Sequence, residues 1–287
     1  MMGAILSAPP AGITIGRALR VRHQNPARLL TVARAETLTP HMRRVVLAGA
    51  ALESFVSAAA DDHIKLFLPA PGQERPVLPV IGPNGPLFPD GAVRPIARDY
   101  TPRRFDARAR ELTIDFVLHG DGPATSWAAH AEPGQIVGIG GPRGSFLAPD
   151  NFDCYFLAGD ETALPAIGRR VEELPTGARA IILVEIADAA DQRYLPSAAS
   201  LSVTWLPRNG SAAGADGLLL RALRALDWPQ GDVHAWMAGE LGMIRAMREH
   251  LIVHRGLDRG RIRASSYWQR GVPASHERIE DRDMTAA

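Results

Sequence analysis

Apolar and polar positions alternate with a period of two over residues 29–35, 42–48, 63–69, 98–105, 111–119 and 135–139, with turn-forming residues between these stretches. In the fifth of them Leu112, Ile114, Phe116 and Leu118 fall on one face, and Thr113, Asp115, Val117 and His119 on the other. Six short strands without a long helix predict a six-stranded antiparallel β-barrel, whose closure leaves no exposed edge. Residues 69–95, rich in Pro and Gly, predict a long loop over one mouth of that barrel. Gly122-Pro123 followed by small residues to 129 predicts a single short helix, with its proline in the first turn.

Beyond residue 153 the period changes. Apolar runs at 155–158, 179–186, 201–206, 233–238 and 262–267 alternate with helical stretches at 163–174, 218–225 and 241–254. In the last of these Leu241, Ile244, Met247 and Leu251 recur on one face, as a helix packed on a sheet requires. Such alternation predicts a parallel α/β sheet with ligands beyond the carboxyl ends of its strands. Those ends are 159–162, Glu185, Arg208, Gly239-Glu240 and Tyr267-Trp268. No G-x-G-x-x-G follows the first strand, which argues against the standard dinucleotide fingerprint. The expected plan is an arm over 1–24, the barrel over 25–150, the α/β domain over 151–273 and a polar tail over 274–287.

A chain of 287 residues is long enough for two such domains, each with its own core. The net charge of +1 supplies no global field, so neither nucleic acid nor an anionic membrane surface is expected as a partner. Residues 1–19 carry neither a basic leader with an apolar core nor a membrane span, so a cytoplasmic location is expected, with a monomer as the default state. A lone cysteine, Cys154, excludes an internal disulfide and cysteine-ligated clusters, and its place at the start of an apolar run assigns it to the core. No protein-bound metal is expected. Lys65 is the only lysine among 32 Lys+Arg, and alternation sets it beside His63 and Phe67, opposite Ile64 and Leu66.

The densest chemistry lies in Arg98-Asp99-Tyr100-Thr101-Pro102-Arg103. If this stretch is extended, Arg98 and Tyr100 share one face while Thr101 and Arg103 turn to the other. An aromatic face, a hydroxyl and two guanidinium groups suit a flat anionic cofactor. The alternative is an edge strand carrying solvated charges. The N–H groups and hydroxyls of the helix start at Gly122 would make an anion site. Asp160 and Glu161 suit either a ligand role or the favourable start of a helix. At the second strand's end Glu185 or Asp188 would accept a ribose 2′-OH, while Arg208 would welcome a 2′-phosphate.

This architecture, with Arg-x-Tyr-Thr in the barrel, resembles the ferredoxin-reductase-like flavoproteins. Gly141-Pro142-Arg143-Gly144-Ser145-Phe146, Leu157-Ala158-Gly159-Asp160-Glu161-Thr162-Ala163-Leu164-Pro165, Trp236-Met237-Ala238-Gly239-Glu240 and Tyr267-Trp268-Gln269-Arg270-Gly271 further resemble the siderophore-interacting proteins, FAD-dependent ferric-siderophore reductases. The resemblance runs from about residue 28 to residue 271. It implies that Arg98, Tyr100, Thr101 and Arg103 bind FAD, with Tyr100 and Thr101 against its reactive ring. It assigns His119, Gly122, Ala124, Thr125 and Ser126 to the FAD diphosphate and adenosine side. Asp160, Glu161, Thr162, Ala163, Gly239 and Glu240 would face the nicotinamide nucleotide and flavin. Lys65 and Arg143 would bind an anionic ferric siderophore, with Arg263 or Arg270 as a third cation. The implied activity is reduction of the ferric siderophore with electrons from NADH, NADPH or ferredoxin. Two other readings stay open: an NAD(P)H:flavin or quinone reductase, and a non-enzymatic siderophore-binding protein.

Overall fold

The computed structural model describes residues 18–82, 85–120 and 122–272, and the backbone of Glu277–Arg278. The chain divides into two units, Met1–Asp150 and Asn151–Ala287.

The first unit contains β1 (Leu19–Arg22), β2 (Arg28–Thr39), β3 (Met42–Ala48), β4 (Ile64–Leu68), β5 (Val80–Gly82), β6 (Gly85–Leu87), β7 (Ile96–Tyr100), β8 (Arg104–Asp106), β9 (Glu111–Val117), α1 (Pro123–Ala129), β10 (Ile136–Gly140) and β11 (Gly144–Leu147). Seven of these strands form one antiparallel sheet in the order β7-β4-β10-β2-β3-β9-β8. The expected count of six fails at residues 98–105, which form two strands rather than one. Pro102 has no N–H to donate to a ladder, so pairing with β4 stops at Tyr100. The next N–H, that of Arg103, already donates to Thr113 O of β9 at 2.9 Å. β7 and β8 are therefore the two edges of the sheet, yet only Thr101-Pro102-Arg103 separates them. Three residues span little more than 10 Å, so the sheet must curl to bring its edges together, giving an antiparallel half-barrel.

Of the stretch predicted at 111–119, Leu112, Ile114 and Phe116 are fully enclosed with Leu30, Val45, Leu47, Ile64 and Leu66, but Thr113 and Asp115 on the opposite face are buried as well, so burial does not follow the alternation. Each of these apolar side chains contributes roughly 1.5–3 kcal/mol. The predicted loop at 69–95 contains a short hairpin, β5–β6, and places Leu78 against β10. A Cβ on Gly138 would lie 2.3 Å from Leu78 Cδ2, so any other residue there would push the Leu78 side chain aside. In the stretch expected to be a loose arm, residues 1–17 lie outside the described residues, but β1 is already paired with β11.

The second unit holds β12 (Cys154–Asp160), α2 (Leu164–Glu173), β13 (Arg179–Ile186), β14 (Ser200–Pro207), α3 (Leu218–Ala225), β15 (Val233–Glu240), α4 (Leu241–Val253), β16 (Ile262–Trp268) and β17 (Glu277–Arg278). Five parallel strands run β14-β13-β12-β15-β16, and β17 adds an antiparallel edge within the expected tail, the rest of which lies outside the described residues. Cys154 is buried in the core that Leu241, Ile244, Met247 and Leu251 of α4 close, and burial raises its thiol pKa. Because β13 and β14 lie on one side of β12 while β15 and β16 lie on the other, chain order reverses between β12 and β15. That switch point is where an open α/β sheet leaves a crevice for a ligand.

Candidate functional site

In the first unit the candidate residues gather at one end of three adjacent strands. Register pairs Ile64 with Tyr100, Lys65 with Asp99, and Lys65 with Gly140 on its other side. The end of β7, the start of β4 and the end of β10 thus lie side by side, with Arg143 three residues beyond Gly140.

Tyr100 packs against Phe116 with ring centroids 4.4 Å apart, and Phe116 meets Trp127 of α1 at 5.6 Å. This aromatic stack fixes the Tyr100 ring, and burial pushes its hydroxyl well above the usual phenol pKa. Arg98, half-buried, donates one bond from Nη1 to Ala97 O at 2.8 Å. A guanidinium has five donors, so Arg98 retains capacity for an anionic ligand. Thr101 and Arg103 are buried. Arg103 lies 3.9 Å from Asp115, whose carboxylate also takes two bonds from Arg44 at 2.7 and 2.9 Å. Arg98 and Arg103, which the extended-strand reading set on one cofactor, thus stand in different surroundings, Arg98 half-buried at the end of β7 and Arg103 buried beyond it. Arg103 belongs to a buried ion cluster on β9, and β7 has ended before it.

At the start of α1, Gly122 offers no side chain as a cap. The N–H groups of Ala124 and Thr125 in the first turn are left for solvent or a ligand. His119 and Ser126 are exposed beside that turn, whereas Ala124 and Thr125 are buried.

Lys65 is not a lone cation. Its Nζ lies 2.7 Å from Asp99 Oδ1, with the lysine side chain 45% exposed. Arg143 is exposed at the tip of a turn whose backbone is pinned: His23 N donates to Arg143 O, and Asn25 Nδ2 to Pro142 O, both at 2.9 Å. A buried polar knot lies beneath. Ser145 Oγ donates to Asp62 Oδ2 at 2.7 Å, and Ser57 Oγ and Ala58–Ala59 N–H groups complete the network. Since the Ser145 proton goes to Asp62, His23 Nε2, 2.7 Å from Ser145 Oγ, must donate. His, Ser and Asp meet here in the wrong order for nucleophile activation, in which the base takes the serine proton. Their work is to hold the Arg143 turn. Sequence reasoning missed this knot because its members lie far apart in the chain.

In the second unit the carboxyl ends of β12 and β15 approach so closely that side chains are excluded. A Cβ on Gly159 would lie 2.3 Å from Ala238 O, and one on Gly239 would lie 2.7 Å from Asp160 Oδ2. Asp160 is buried and accepts four bonds: Oδ1 from Thr162 N at 2.9 Å and Thr162 Oγ1 at 2.5 Å, Oδ2 from Trp268 Nε1 at 2.7 Å and Glu240 N at 3.2 Å. Burial, with the charge of Glu161, raises its pKa to about 6. Glu240 caps α4 through Met243 N at 2.9 Å. Ala163 is fully buried.

Glu161 takes both Nη groups of Arg208 at 2.6 Å, and Glu185 Oε1 lies 3.5 Å from Arg208 Nη1 while accepting from Gly214 N at 3.1 Å. Burial raises the Glu185 pKa. Burial acts to lower that of Arg208, but the bonds to Glu161 outweigh it and the net shift is upward. Asp188 caps a 3-10 turn by accepting from Ala190 N at 2.8 Å. Every acid that sequence reasoning offered to a nucleotide is thus engaged within the protein. Arg270 stands at the carboxyl end of β16, where its N–H lies 3.5 Å from Glu240 Oε1. Arg263 stands near the amino end of the same strand, opposite Trp236; burial, with the charges of Arg170 and Arg263, lowers the pKa of His234. The two candidates for the third cation therefore sit at opposite ends of one strand.

Among the described residues no group of three or more His, Cys, Asp or Glu could hold a metal ion, and no helix is long and apolar enough to cross a membrane.

Residues 31–146 match the family model of the siderophore-interacting FAD-binding domain, and residues 152–271 that of the siderophore-interacting protein. The chain is 35% identical over 252 residues to the NADPH-dependent ferric-chelate reductase of Escherichia coli (strain K12), covering 87% of this chain and 95% of that one. It is 32% identical over 247 residues to ferric vibriobactin reductase ViuB of Vibrio cholerae, covering 85% and 90%. A solved siderophore utilization protein from T. fusca superposes with a TM-score of 0.83 at 43% identity, covering 90% of this chain and 98% of that one. The chain belongs to the siderophore-interacting protein family.

Proposed function

We propose that the protein is an FAD-dependent reductase that takes electrons from NAD(P)H and reduces the iron of a ferric siderophore, so that ferrous iron is released. The observation that carries this reading is that Arg98 and Tyr100 share one face at the end of β7, while at the same strand ends Lys65 stands on the other face beside Asp99 and Arg143 lies just beyond β10. An aromatic ring, an arginine with donors to spare and two further cations suit an anionic flavin beside an anionic iron chelate. The relatives named as ferric reductases support it.

The residues present fit the cofactor. Arg98 and the uncapped first turn of α1 would hold the FAD diphosphate, with His119, Gly122, Thr125 and Ser126 beside it. Tyr100, braced by Phe116 and Trp127, would lie on the ring system, with Thr101 at its edge. Bound FAD supplies the step from a two-electron donor to a one-electron acceptor. The chain's part is to orient the ring through Tyr100 and to hold the substrate's charge near Lys65 and Arg143. Arg103 supports this site through Asp115. In the second unit Gly159, Thr162, Ala163 and Gly239 would present backbone to the nicotinamide nucleotide. Of the two third-cation candidates, Arg270 is favoured by its place at the carboxyl end of β16. The half-barrel serves as the flavin barrel, the second unit as the donor domain, and the protein acts as a cytoplasmic monomer, where the NAD(P)H pool is available.

Anaerobic stopped-flow mixing with NADH or NADPH, followed by a ferric siderophore, tests donor, cofactor and acceptor together. Bleaching and then recovery of the flavin spectrum is expected; protein that neither retains nor binds FAD ends the proposal. One observation favours a second reading. Asp99 neutralises the sole lysine, which suits an uncharged acceptor such as free flavin or a quinone. Steady-state rates with ferric chelates against these acceptors separate the two.

A further inference from the structure

The charged cluster at the carboxyl ends of β12, β13 and β14 bears on which dinucleotide the second unit accepts. The main-chain N–H of Arg208 donates to Ile186 O at 2.9 Å, which fixes this residue beside the end of the second parallel strand. In open α/β sheets that place reads the ribose 2′ position: an acid accepts a 2′-OH, and an arginine accommodates a 2′-phosphate. Here the arginine is present but committed. Each of its Nη groups donates to Glu161, and Glu185 lies on its flank, so the guanidinium is held and neutralised where it stands. The side chains of Arg208, Glu161 and Glu185 are only 9%, 10% and 2% exposed. Three buried carboxylates, those of Asp160, Glu161 and Glu185, stand against this one guanidinium.

We propose that Glu161 is a positioning residue that sets donor specificity: by holding Arg208 in a buried bidentate pair beside Glu185, it withholds the guanidinium from a 2′-phosphate and makes NADH the preferred donor. The inference rests on the NAD(P)H reading above. A 2′-phosphate dianion drawn to this place would have to break the pair and leave Glu161 buried without a counter-charge, the costly way to disrupt an ion pair. Otherwise it would approach a cluster already dominated by carboxylates. A 2′-OH meets neither obstacle.

The test uses the holoenzyme and two probes that undergo no redox chemistry, ADP and 2′,5′-ADP, titrated calorimetrically, alongside flavin bleaching by NADH and NADPH. The wild-type chain is expected to bind ADP at least tenfold more tightly than 2′,5′-ADP and to favour NADH in kcat/KM by a similar factor. Glu161→Gln should raise 2′,5′-ADP affinity at least tenfold and move the kcat/KM ratio toward NADPH. The double variant Glu161→Gln with Arg208→Gln should lose that gain, with circular dichroism confirming the fold. Equal or tighter binding of 2′,5′-ADP by the wild type overturns the inference without any variant, as does a gain that survives removal of Arg208. A preference for NADPH overturns the specificity inference alone. If neither dinucleotide bleaches the flavin while reduced ferredoxin does, the NAD(P)H reading falls and the inference with it.

Discussion

Two ion pairs of nearly the same geometry stand in the two units. Arg34 meets Glu111 in the first with contacts of 2.6 and 2.8 Å, and Arg208 meets Glu161 in the second with two contacts of 2.6 Å. The first pair lies open to water, its arginine 59% exposed, and the second is enclosed. Exposure, more than distance, decides what such a pair does: an open pair adds little, while a closed one commits both partners. The same contrast runs through the candidate sites. At its ligand end the first unit leaves Lys65, Arg143 and part of Arg98 accessible, whereas the second folds nearly all its charge into itself. On the proposed reading the first unit would meet anions with side chains. The other would meet a nucleotide mainly with backbone.

The contrast breaks most sharply where the first unit does enclose charge. Asp115→Ala strips the buried carboxylate from Arg44 and Arg103 and should cost about 3–5 kcal/mol in urea unfolding; a loss below about 1 kcal/mol would mean that Arg103 is held by something else. Asp160→Asn comes next, at about 2 kcal/mol, because the amide NH2 must face N–H donors whichever way it is turned. Its pH signature is more specific. The Asp160 pKa is about 6 in the fold against 3.8 in the unfolded chain. The native state thus holds this proton more tightly, and the stability it contributes is full below about pH 4 and gone above about pH 6. Chemical denaturation across pH 3.5–7 on the order of half-unit steps should show the slope in the wild type and a flatter curve in the variant. In the accessible site, Lys65→Ala should raise KM for an anionic ferric siderophore about tenfold, equivalent to about 1.4 kcal/mol, and KM should rise far less for an uncharged acceptor. The smallest effect belongs to the open pair: Arg34→Ala should cost under about 1 kcal/mol and less still in high salt.

Much of this architecture was legible in the chain. The boundaries of β3, β13 and α3 coincide with the predicted stretches because period, turn residues and burial agree there. The split between β7 and β8 was missed because alternation continues through Pro102 even though the ladder cannot. β1 and β11 were missed because a four-residue strand carries almost no periodicity, and only their pairing makes them strands. Among site residues, proximity within the chain was readable and proximity across it was not. That Lys65 faces outward follows from alternation, but that Asp99 waits for it follows only from the register of β4 and β7. Arg103 was read as a cofactor ligand from its neighbours in sequence; that Asp115 of another strand lies beside it could not be read there. Arg208 and Glu161 lie 47 residues apart, and no local pattern joins them.

The three residues between β7 and β8 tie the ancestry of this protein to its geometry. Because Thr101, Pro102 and Arg103 join opposite margins of one sheet, adding or deleting a residue there would strain the link between Tyr100, packed on Phe116, and Arg103, beside Asp115. The segment at 69–95 touches the sheet through Leu78 and can lengthen or shorten without that penalty. Length variation among descendants of this chain should therefore collect in the segment and spare the three-residue link, so that its span serves as a fixed ruler while the segment drifts.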